Sequence, residues 1–343
     1  MFAAKTHPEY QASQPCYDDH WLFRRCLYID AAEFRRARYQ NQDCSDSRAQ
    51  LLAQAQGRDI VIDAVTDPHR PQDLVEFLQR HDVVDCVTVL TQDREWCQNN
   101  PSFRYYPQWV LKAINDHLNY PKPWPDTHWQ QRQHRVSCQN RLPRPHRFLT
   151  YYLLAQQPWF SEVFFSFGGW NPTGDNDLTY YWQRYFTEPQ WQFFRENEPS
   201  WPIKHDTAYE WRDVLGQHDH LSPAYRDCYA NIATETECYT PFISEKTTKC
   251  LRTGVLLWAA AAPGHFDHIQ SLGFEINLPQ QYDQIPHEQT RITAMVNDLV
   301  QHYQDIPDMW HENQQQIQAN SQLFGSTEFA EKLLQDVEDL ICW

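Results

Sequence analysis

The chain has 343 residues and a mass of 41.0 kDa, enough for one large or two medium domains, which excludes a peptide hormone or a small disulfide-stapled scaffold. Asp and Glu (45) outnumber Lys and Arg (29), so the formal net charge is −16 and the surface as a whole repels nucleic acids and anionic membranes. A polyanion site must therefore be a local basic pocket, and no nucleic-acid partner is expected.

The amino terminus carries no hydrophobic leader pattern, and the longest apolar run, Val255 to Pro263, is far shorter than the roughly 20 residues that span a bilayer. We therefore expect a cytoplasmic protein without a membrane span, and peripheral membrane association stays open. The ten cysteines form no Cys-x-x-Cys pair and no zinc-type spacing. Cys86, Cys138 and Cys228 lie in apolar, strand-like runs, which favours buried free thiols over disulfides.

The first half of the chain shows a strand, helix, strand pattern. Ile60 to Val65 and Val83 to Leu90 are predicted strands, and Gln72 to Arg80 between them carries apolar residues at helical spacing. The proline-rich segment 121–125 can be neither helix nor central strand, so we place a linker around residues 119–132. Residues 1–130 are therefore predicted to form an N-terminal α/β domain.

The second half, residues 131–305, alternates strands and helices again, although residues 168–226 show little periodicity and receive no assignment. The predicted elements are strands Arg135 to Cys138, Val163 to Phe167, Cys228 to Thr234 and Val255 to Ala262, and helices Phe148 to Ala155, Ser244 to Thr253 and His265 to Leu272. A helical tail follows at 306–343, expected either to pack back on the N-terminal domain or to mediate a dimer. The predicted fold class is α/β, with two Rossmann-like domains facing a cleft.

The segment from Glu237 to Lys249 connects a predicted strand to the start of a predicted helix, where α/β sheets commonly bind ligands. A carboxylate at this position can chelate a ribose diol, and a lysine beside it can pair with a diphosphate. The alternative is structural: Ser244 is a suitable N-cap, Glu245 favours the helix dipole, and the lysines are solvated.

A basic group follows the predicted strand Arg135 to Cys138. Arg141, Arg144 and Arg147 fall within seven residues, in a loop stiffened by two prolines. In a chain of net charge −16 this group is a candidate anion clamp. The alternative is a basic surface loop paired with nearby acids.

The two segments together resemble a known signature. The Val-Ser-x-x-Asn-x6-Arg pattern that begins at Val136 and ends at Arg147, combined with Ser-Glu-Lys at 244–246, resembles the donor domain of fucosyltransferase-type GT-B glycosyltransferases. The run from Gly254 to Gly264 and the Gly-Phe pair at 273–274 are similar to an uncharacterised group of fucosyltransferase-like bacterial and phage glycosyltransferases. The resemblance covers about residues 133–320, and residues 1–130 would then be the acceptor-side domain.

This resemblance implies transfer of a sugar from a nucleotide-diphosphate sugar, GDP-fucose-like above all, to a glycan or other hydroxyl acceptor, as in polysaccharide biosynthesis. It implies that Glu245 binds the nucleotide ribose, that Lys246 and Arg147 bind the diphosphate, and that Asn140 or Arg144 braces the same loop. Fixed donors of this kind stabilise the leaving nucleotide without a metal, so no cofactor or metal is expected beyond the nucleotide sugar itself. The implied donor-binding set also includes Glu237, Ser244 and Lys249.

The resemblance favours a transfer that inverts the configuration at the anomeric carbon of the sugar. Glu237 and Glu245, however, also match the Glu-x7-Glu spacing of GT-B enzymes that retain this configuration. An inverting transfer needs a general base for the acceptor hydroxyl. Asp67 and Glu95 each follow a predicted strand of the N-terminal domain and are the candidates, with a turn and a helix start as their structural alternatives. The alternative function is a non-catalytic nucleotide- or glycan-binding protein that retains the donor pocket.

Three short polar clusters could bind a metal, and a group of aromatic residues could stack on a sugar. None of the polar clusters supplies three or four converging metal ligands, so we interpret them as turns or helix starts. The clusters are Asp175 with Asp177, His218 with His220, and His265 with His268. The aromatic residues between Trp159 and Trp182 are predicted to serve more as core than as sugar-stacking platforms.

Overall fold

The computed structural model describes residues 26–30, 47–64, 71–91, 94–106, 132–140, 144–167, 185–197, 203–204, 223–235, 238, 241–276, 278 and 281–341. The chain divides into two compact units, which we call unit 1 (Met1–Pro121 with Ser326–Trp343) and unit 2 (Lys122–Gly325). Among the helices in these described ranges, none combines the length and the apolar character of a membrane span.

Unit 1 contains a four-stranded parallel sheet. Its strands pair in chain order: β1 Cys26–Asp30, β2 Asp59–Asp63, β3 Thr88–Thr91 and β4 Phe103–Tyr105. Helices α1 Ser47–Ala55, α2 Pro71–Arg80 and α3 Arg94–Asn99 lie between consecutive strands along the chain. Parallel neighbours require crossovers of this kind, because the chain must return to the same end of the sheet. The predicted βαβ pattern is confirmed.

The predicted strand Val83 to Leu90 is wrong in its first half, where Val84–Cys86 forms a 3-10 turn before β3. Asp82 there has a positive φ of 54°. Arg48 donates hydrogen bonds to the Asp82 carbonyl oxygen (2.7 Å) and to the Asp85 carboxylate (2.5 and 2.9 Å). These contacts hold the segment in a turn, although its apolar residues alone favour a strand.

The core of unit 1 lies between the sheet and its helices. Ile62 and Val89 of the sheet pack in one cluster with Leu51 of α1 and Leu78 of α2, and all four side chains are buried. Their spacing in the sequence explains this arrangement, because apolar residues on one helical face are buried together against the strands.

Unit 2 contains a five-stranded sheet with the order β7-β6-β5-β8-β9. Its strands are β5 His134–Asn140, β6 Phe164–Phe167, β7 Ile203–Lys204, β8 Cys228–Thr234 and β9 Leu256–Ala260. All neighbours are parallel except β6 and β7. The four predicted strands of this half correspond to β5, β6, β8 and β9.

The helices of unit 2 are α4 Pro145–Ala155, α5 Glu188–Asn197, α6 Pro223–Arg226, α7 Glu245–Thr253, α8 His265–Ser271, α9 Glu288–His302, α10 Ile306–Glu312 and α11 Gln314–Phe324. The three helices predicted for residues 131–305 correspond to α4, α7 and α8, whereas α5, α6 and α9 were not predicted. Helix α7 ends at Gly254, whose φ of 65° is left-handed and favours glycine. The carboxyl ends of parallel strands share one sheet edge, so α4, α7 and α8 begin near each other there.

Aromatic side chains fill the core beside α4. Phe148 is fully buried and makes edge contacts with Phe167, Phe186 and Phe194. Trp159 stacks on a tyrosine of the segment after α9, Tyr303, with ring centres 3.8 Å apart. The described aromatics of this region therefore serve packing, whereas residues 168–184 lie outside the described part.

The carboxyl-terminal region is helical, as predicted, and its last helix, α12 Thr327–Ile341, belongs to unit 1. Leu333 and Val337 of α12 are buried, and the Tyr106 hydroxyl donates a hydrogen bond to the Leu333 carbonyl oxygen at 3.0 Å. The chain thus returns to its first unit at its end. No disulfide links the cysteines of the described part, as expected. Cys138 and Cys228 are buried as predicted, whereas Cys86 is half-buried and lies in a 3-10 turn.

Candidate functional site

The candidate site lies in unit 2, at the carboxyl ends of β5 and β8. Asn140 ends β5 and is fully buried. Its side-chain oxygen accepts a hydrogen bond from the Thr234 hydroxyl at the end of β8, and its amide nitrogen donates to Cys138 Sγ at 3.3 Å. The Asn140 amide therefore joins the ends of two neighbouring strands, which is a bracing contact.

Glu235, the residue after β8, organises the site, although the sequence analysis did not select it. Its side chain is fully buried, and its carboxylate accepts hydrogen bonds from the Ser244 backbone N–H (3.2 and 3.3 Å) and from the Thr247 hydroxyl (2.5 Å). Its carbonyl oxygen accepts from His146 Nε2 (2.8 Å) and from the Arg147 guanidinium (3.3 Å). One residue thus connects the first turns of α4 and α7.

The start of α7 is set by local capping. Ser244 has extended backbone angles, and its hydroxyl accepts a hydrogen bond from the Lys246 N–H at 3.2 Å. This cap satisfies one of the helix-end N–H groups that have no partner within the helix. Ser244 is fully buried, so its hydroxyl serves the helix end.

Basic side chains from two distant segments converge on these strand ends. Arg147 and Lys246 are buried, with 4% and 9% exposure, and Arg144 and Lys249 are half-buried. Burial, together with the positive charges of Arg147, Arg144 and Lys246, holds the pKa of His146 well below its usual range. Because Glu235 contacts both Arg147 and the first turn of α7, the two basic segments meet here and form a local basic site in an acidic chain.

The remaining predicted residues are described only in part. The Lys249 ammonium lies 5.7 Å from the centre of the Tyr225 ring, a cation–π contact. Glu245 begins α7 and Glu95 lies in α3, and for both only the backbone is described. Asp67, Glu237, Asp175, Asp177, His218 and His220 lie outside the described residues.

A second buried network extends from Glu235 to α8. The Thr247 hydroxyl gives its proton to Glu235, so its oxygen accepts from His265 Nε2, which lies 3.2 Å away. His265 is fully buried, and burial lowers its pKa to about 3. Asp283 accepts a hydrogen bond from the Phe266 N–H at 3.3 Å, and burial raises its pKa to about 6. These groups stabilise the first turn of α8.

The neutral state of His265 predicts a loss of stability in acid. The unfolded chain takes up a proton near the ordinary histidine pKa of about 6.5, and the folded protein does so only near pH 3. The contribution of His265 to the free energy of unfolding is therefore fully present above about pH 6.5. It decreases as the pH falls, and at about pH 5 it is lower by about 2 kcal/mol.

Urea unfolding at several pH values measures this effect. In His265→Gln the amide N–H can still donate to Thr247, but this residue takes up no proton in acid. We therefore expect the decrease in the free energy of unfolding between about pH 6.5 and 5 to be about 2 kcal/mol smaller in the variant than in the wild type. The matched control is His311→Gln, because His311 is exposed. An unchanged decline in the His265 variant would contradict the prediction.

The chain was compared with protein families, curated proteins and solved structures. A scan against protein-family models and a search of curated proteins found no match. Among solved structures, the chain is similar to that of Anabaena Alr3699/HepE in complex with UDP-glucose, with 14% sequence identity and a TM-score of 0.45. The similarity covers 96% of this chain and 80% of that one.

Proposed function

We propose that this chain is a glycosyltransferase that moves a sugar from a nucleotide-diphosphate sugar to a hydroxyl acceptor. One observation carries the proposal: Glu235, directly after β8, accepts hydrogen bonds both from Arg147 and from the first turn of α7, which carries Lys246, so the two basic segments meet at the carboxyl edge of a parallel sheet. This edge is where α/β sheets commonly bind ligands. The resemblance of the same two segments to a donor-domain signature supports a nucleotide sugar as the anion.

In this proposal Arg147 and Lys246 bind the diphosphate, and the half-buried Arg144 and Lys249 add positive charge at the edge of the diphosphate site. Charge on the departing diphosphate increases as the glycosidic bond breaks, and fixed cations stabilise that charge most in the transition state. Glu245 is the proposed ribose ligand, as the first residue of α7. Because Arg147 and Lys246 are buried, their positions are restricted before the donor arrives.

The proposed reaction is an inverting transfer. The acceptor oxygen attacks the anomeric carbon, the bond from that carbon to the diphosphate oxygen breaks, and a carboxylate takes the acceptor proton. Asp67 and Glu95 are the proposed bases, a part of the proposal that rests on the sequence alone. GDP-fucose is the proposed donor and a glycan the proposed acceptor, because the motif resemblance is to fucosyltransferases.

Nucleotide binding tests the donor site. A ligand that binds only the folded state raises the melting temperature, so the full chain would be heated with GDP, UDP, CDP or CMP, each with and without EDTA. We expect the largest rise with GDP, and the same rise with EDTA, since the proposed diphosphate ligands are side chains. No rise with any nucleotide would contradict the donor site.

Charge-removing variants test the proposed residues. Arg147→Ala and Lys246→Ala are each expected to weaken nucleotide binding by about 1 to 3 kcal/mol, or about 5- to 150-fold, the range for hydrogen bonds to charged groups. Titration calorimetry measures the change. Arg135→Ala is the matched control, since Arg135 lies near the opposite end of β5 and should leave binding unchanged.

Turnover separates the enzyme from its alternative. Release of GDP from GDP-fucose in the presence of an acceptor supports the transferase, whereas nucleotide binding without turnover of any nucleotide sugar supports the non-catalytic binding protein. Equal binding by wild type and both variants would contradict the assignment of Arg147 and Lys246.

A further inference from the structure

Three side chains that are typical metal ligands converge in unit 2. His146 lies in the first turn of α4, Cys238 follows β8, and Glu288 begins α9. One ligand atom of each lies within 4.8 Å of the other two. His146 and Cys238 are buried and Glu288 is half-buried. The three residues are far apart in the sequence, so only folding brings them together.

The chemistry of this group matches a transition-metal ion. Imidazole nitrogen, thiolate and carboxylate are the ligands that Zn²⁺ prefers, and three protein ligands with an open fourth position form a common type of zinc site. The cysteine and glutamate carry two negative charges when deprotonated, which balances a divalent cation. Ligands about 2.0 to 2.3 Å from a tetrahedral zinc are roughly 3.5 Å apart, so the group would contract by about 1 Å on binding.

Each of the three residues is also oriented by a second contact. His146 Nε2–H donates to the Glu235 carbonyl oxygen at 2.8 Å, which leaves the lone pair on Nδ1. The Tyr185 hydroxyl donates to one carboxylate oxygen of Glu288 and leaves the other free. Outer contacts of this kind orient ligands at known metal sites.

The backbone at Cys238 is held in place as well. Arg291 donates to the Cys238 carbonyl oxygen at 2.8 Å and to the Ala261 carbonyl oxygen at 2.7 Å. The Cys238 thiol lies 3.5 Å from the Ala260 carbonyl oxygen, a long hydrogen bond. Metal binding would replace this hydrogen bond with a coordinate bond to sulfur.

We propose that His146, Cys238 and Glu288 bind one Zn²⁺-class ion through Nδ1, Sγ and a carboxylate oxygen, with a fourth position for water. Binding converts the Cys238 thiol to a thiolate and releases one proton to the solvent. The ion would tie α4, the segment after β8 and α9 together, and no step of the proposed sugar transfer depends on it.

Cobalt titration of the full chain tests this site. The protein is treated with EDTA, separated from the chelator under reducing conditions, and titrated with Co²⁺ in the absence of nucleotide. We expect one equivalent to produce a thiolate-to-cobalt charge-transfer band, and Zn²⁺ to abolish the band by displacement. Nucleotide binding plays no part in this measurement, so it succeeds or fails independently of the proposed function.

Variants assign the ligands. Cys238→Ser is expected to remove the charge-transfer band, and His146→Gln and Glu288→Gln to raise the dissociation constant at least about tenfold. Cys97→Ser is the matched control and should retain the wild-type band, because it removes a half-buried thiol of unit 1. Circular dichroism of each metal-free variant shows whether it is folded.

Two results would overturn the proposal. One is a wild-type protein that shows no charge-transfer band after a full equivalent of Co²⁺, a result that needs no variant. The other is a band that persists in folded Cys238→Ser, since another thiol would then be the ligand.

Discussion

Glu235→Ala is expected to destabilise the folded protein by about 3 to 5 kcal/mol, the largest effect of any single substitution in the candidate site. The Glu235 carboxylate is fully buried and accepts from the Ser244 N–H and the Thr247 hydroxyl. Alanine leaves both donors without this acceptor in a region closed to water. Each buried donor left unsatisfied costs about 1 to 3 kcal/mol, and the lost side chain leaves a cavity in addition.

Urea unfolding of the variants measures this cost. Glu235→Gln is the matched control, because its side-chain carbonyl can still accept one hydrogen bond, and a smaller loss of about 1 to 2 kcal/mol is expected. The alanine variant should also reduce the nucleotide-dependent rise in melting temperature, since the Glu235 carboxylate holds the first turn of α7, which carries Lys246, while the backbone contact to Arg147 is kept. A loss below about 1 kcal/mol in Glu235→Ala would contradict this account.

Arg132→Ala is expected to cost about 3 kcal/mol or more. Arg132 is 9% exposed, and its guanidinium donates to the carbonyl oxygens of Tyr225 (3.1 Å), Cys228, Thr253 (2.8 Å) and Gly254 (3.2 Å). The Thr253 and Gly254 carbonyls end α7 and have no partner within the helix. Without Arg132 the Thr253 oxygen loses this donor, whereas the Gly254 oxygen keeps a hydrogen bond from the Trp310 Nε1–H at 2.8 Å. The contact with the Trp310 ring, 4.9 Å away, is lost as well.

A thermal or urea melt compares three variants. Arg132→Lys should recover only part of the loss, because one ammonium cannot reach carbonyls that a planar guanidinium contacts on two nitrogens. Arg135→Ala is the control, because Arg135 is partly exposed and pairs with Glu162 at 3.4 Å, so a change of about 1 kcal/mol or less is expected. Similar losses for Arg132→Ala and Arg135→Ala would contradict the prediction.

Many of the elements of unit 2 could be predicted from local patterns, although β7, α5, α6 and α9 were not. Strand β8 is buried except for the half-buried Tyr229, and Ser244 and Gly254 delimit α7 by capping rules that act within a few residues. The turn at Val84–Cys86 could not be predicted in this way, because Arg48, far upstream, holds Asp82 and Asp85. Apolar composition indicates a strand there, and a long-range contact overrides it.

Glu235 escaped the sequence analysis for the same reason. An acidic residue after a strand is ordinarily a solvated turn residue, and nothing within a few positions shows that Glu235 is fully buried. Its partners are Ser244 and Thr247, downstream, and His146 and Arg147, upstream. Its position was the one signal in the sequence that could have identified it. Glu235 directly follows a predicted core strand, and the carboxyl ends of parallel strands meet at the edge where α/β sheets commonly bind ligands.

The sequence by itself therefore determined the α/β class, four strands and three helices of unit 2, and the two basic segments, because periodicity, caps and charge act over short distances along the chain. Only the tertiary structure decided that Arg144, Arg147 and Lys246 share one site, that Glu235 organises it, and that His146, Cys238 and Glu288 converge. The physical reason is that burial and hydrogen-bond pairing depend on which strands are neighbours, and β5 pairs with β8 across about ninety intervening residues.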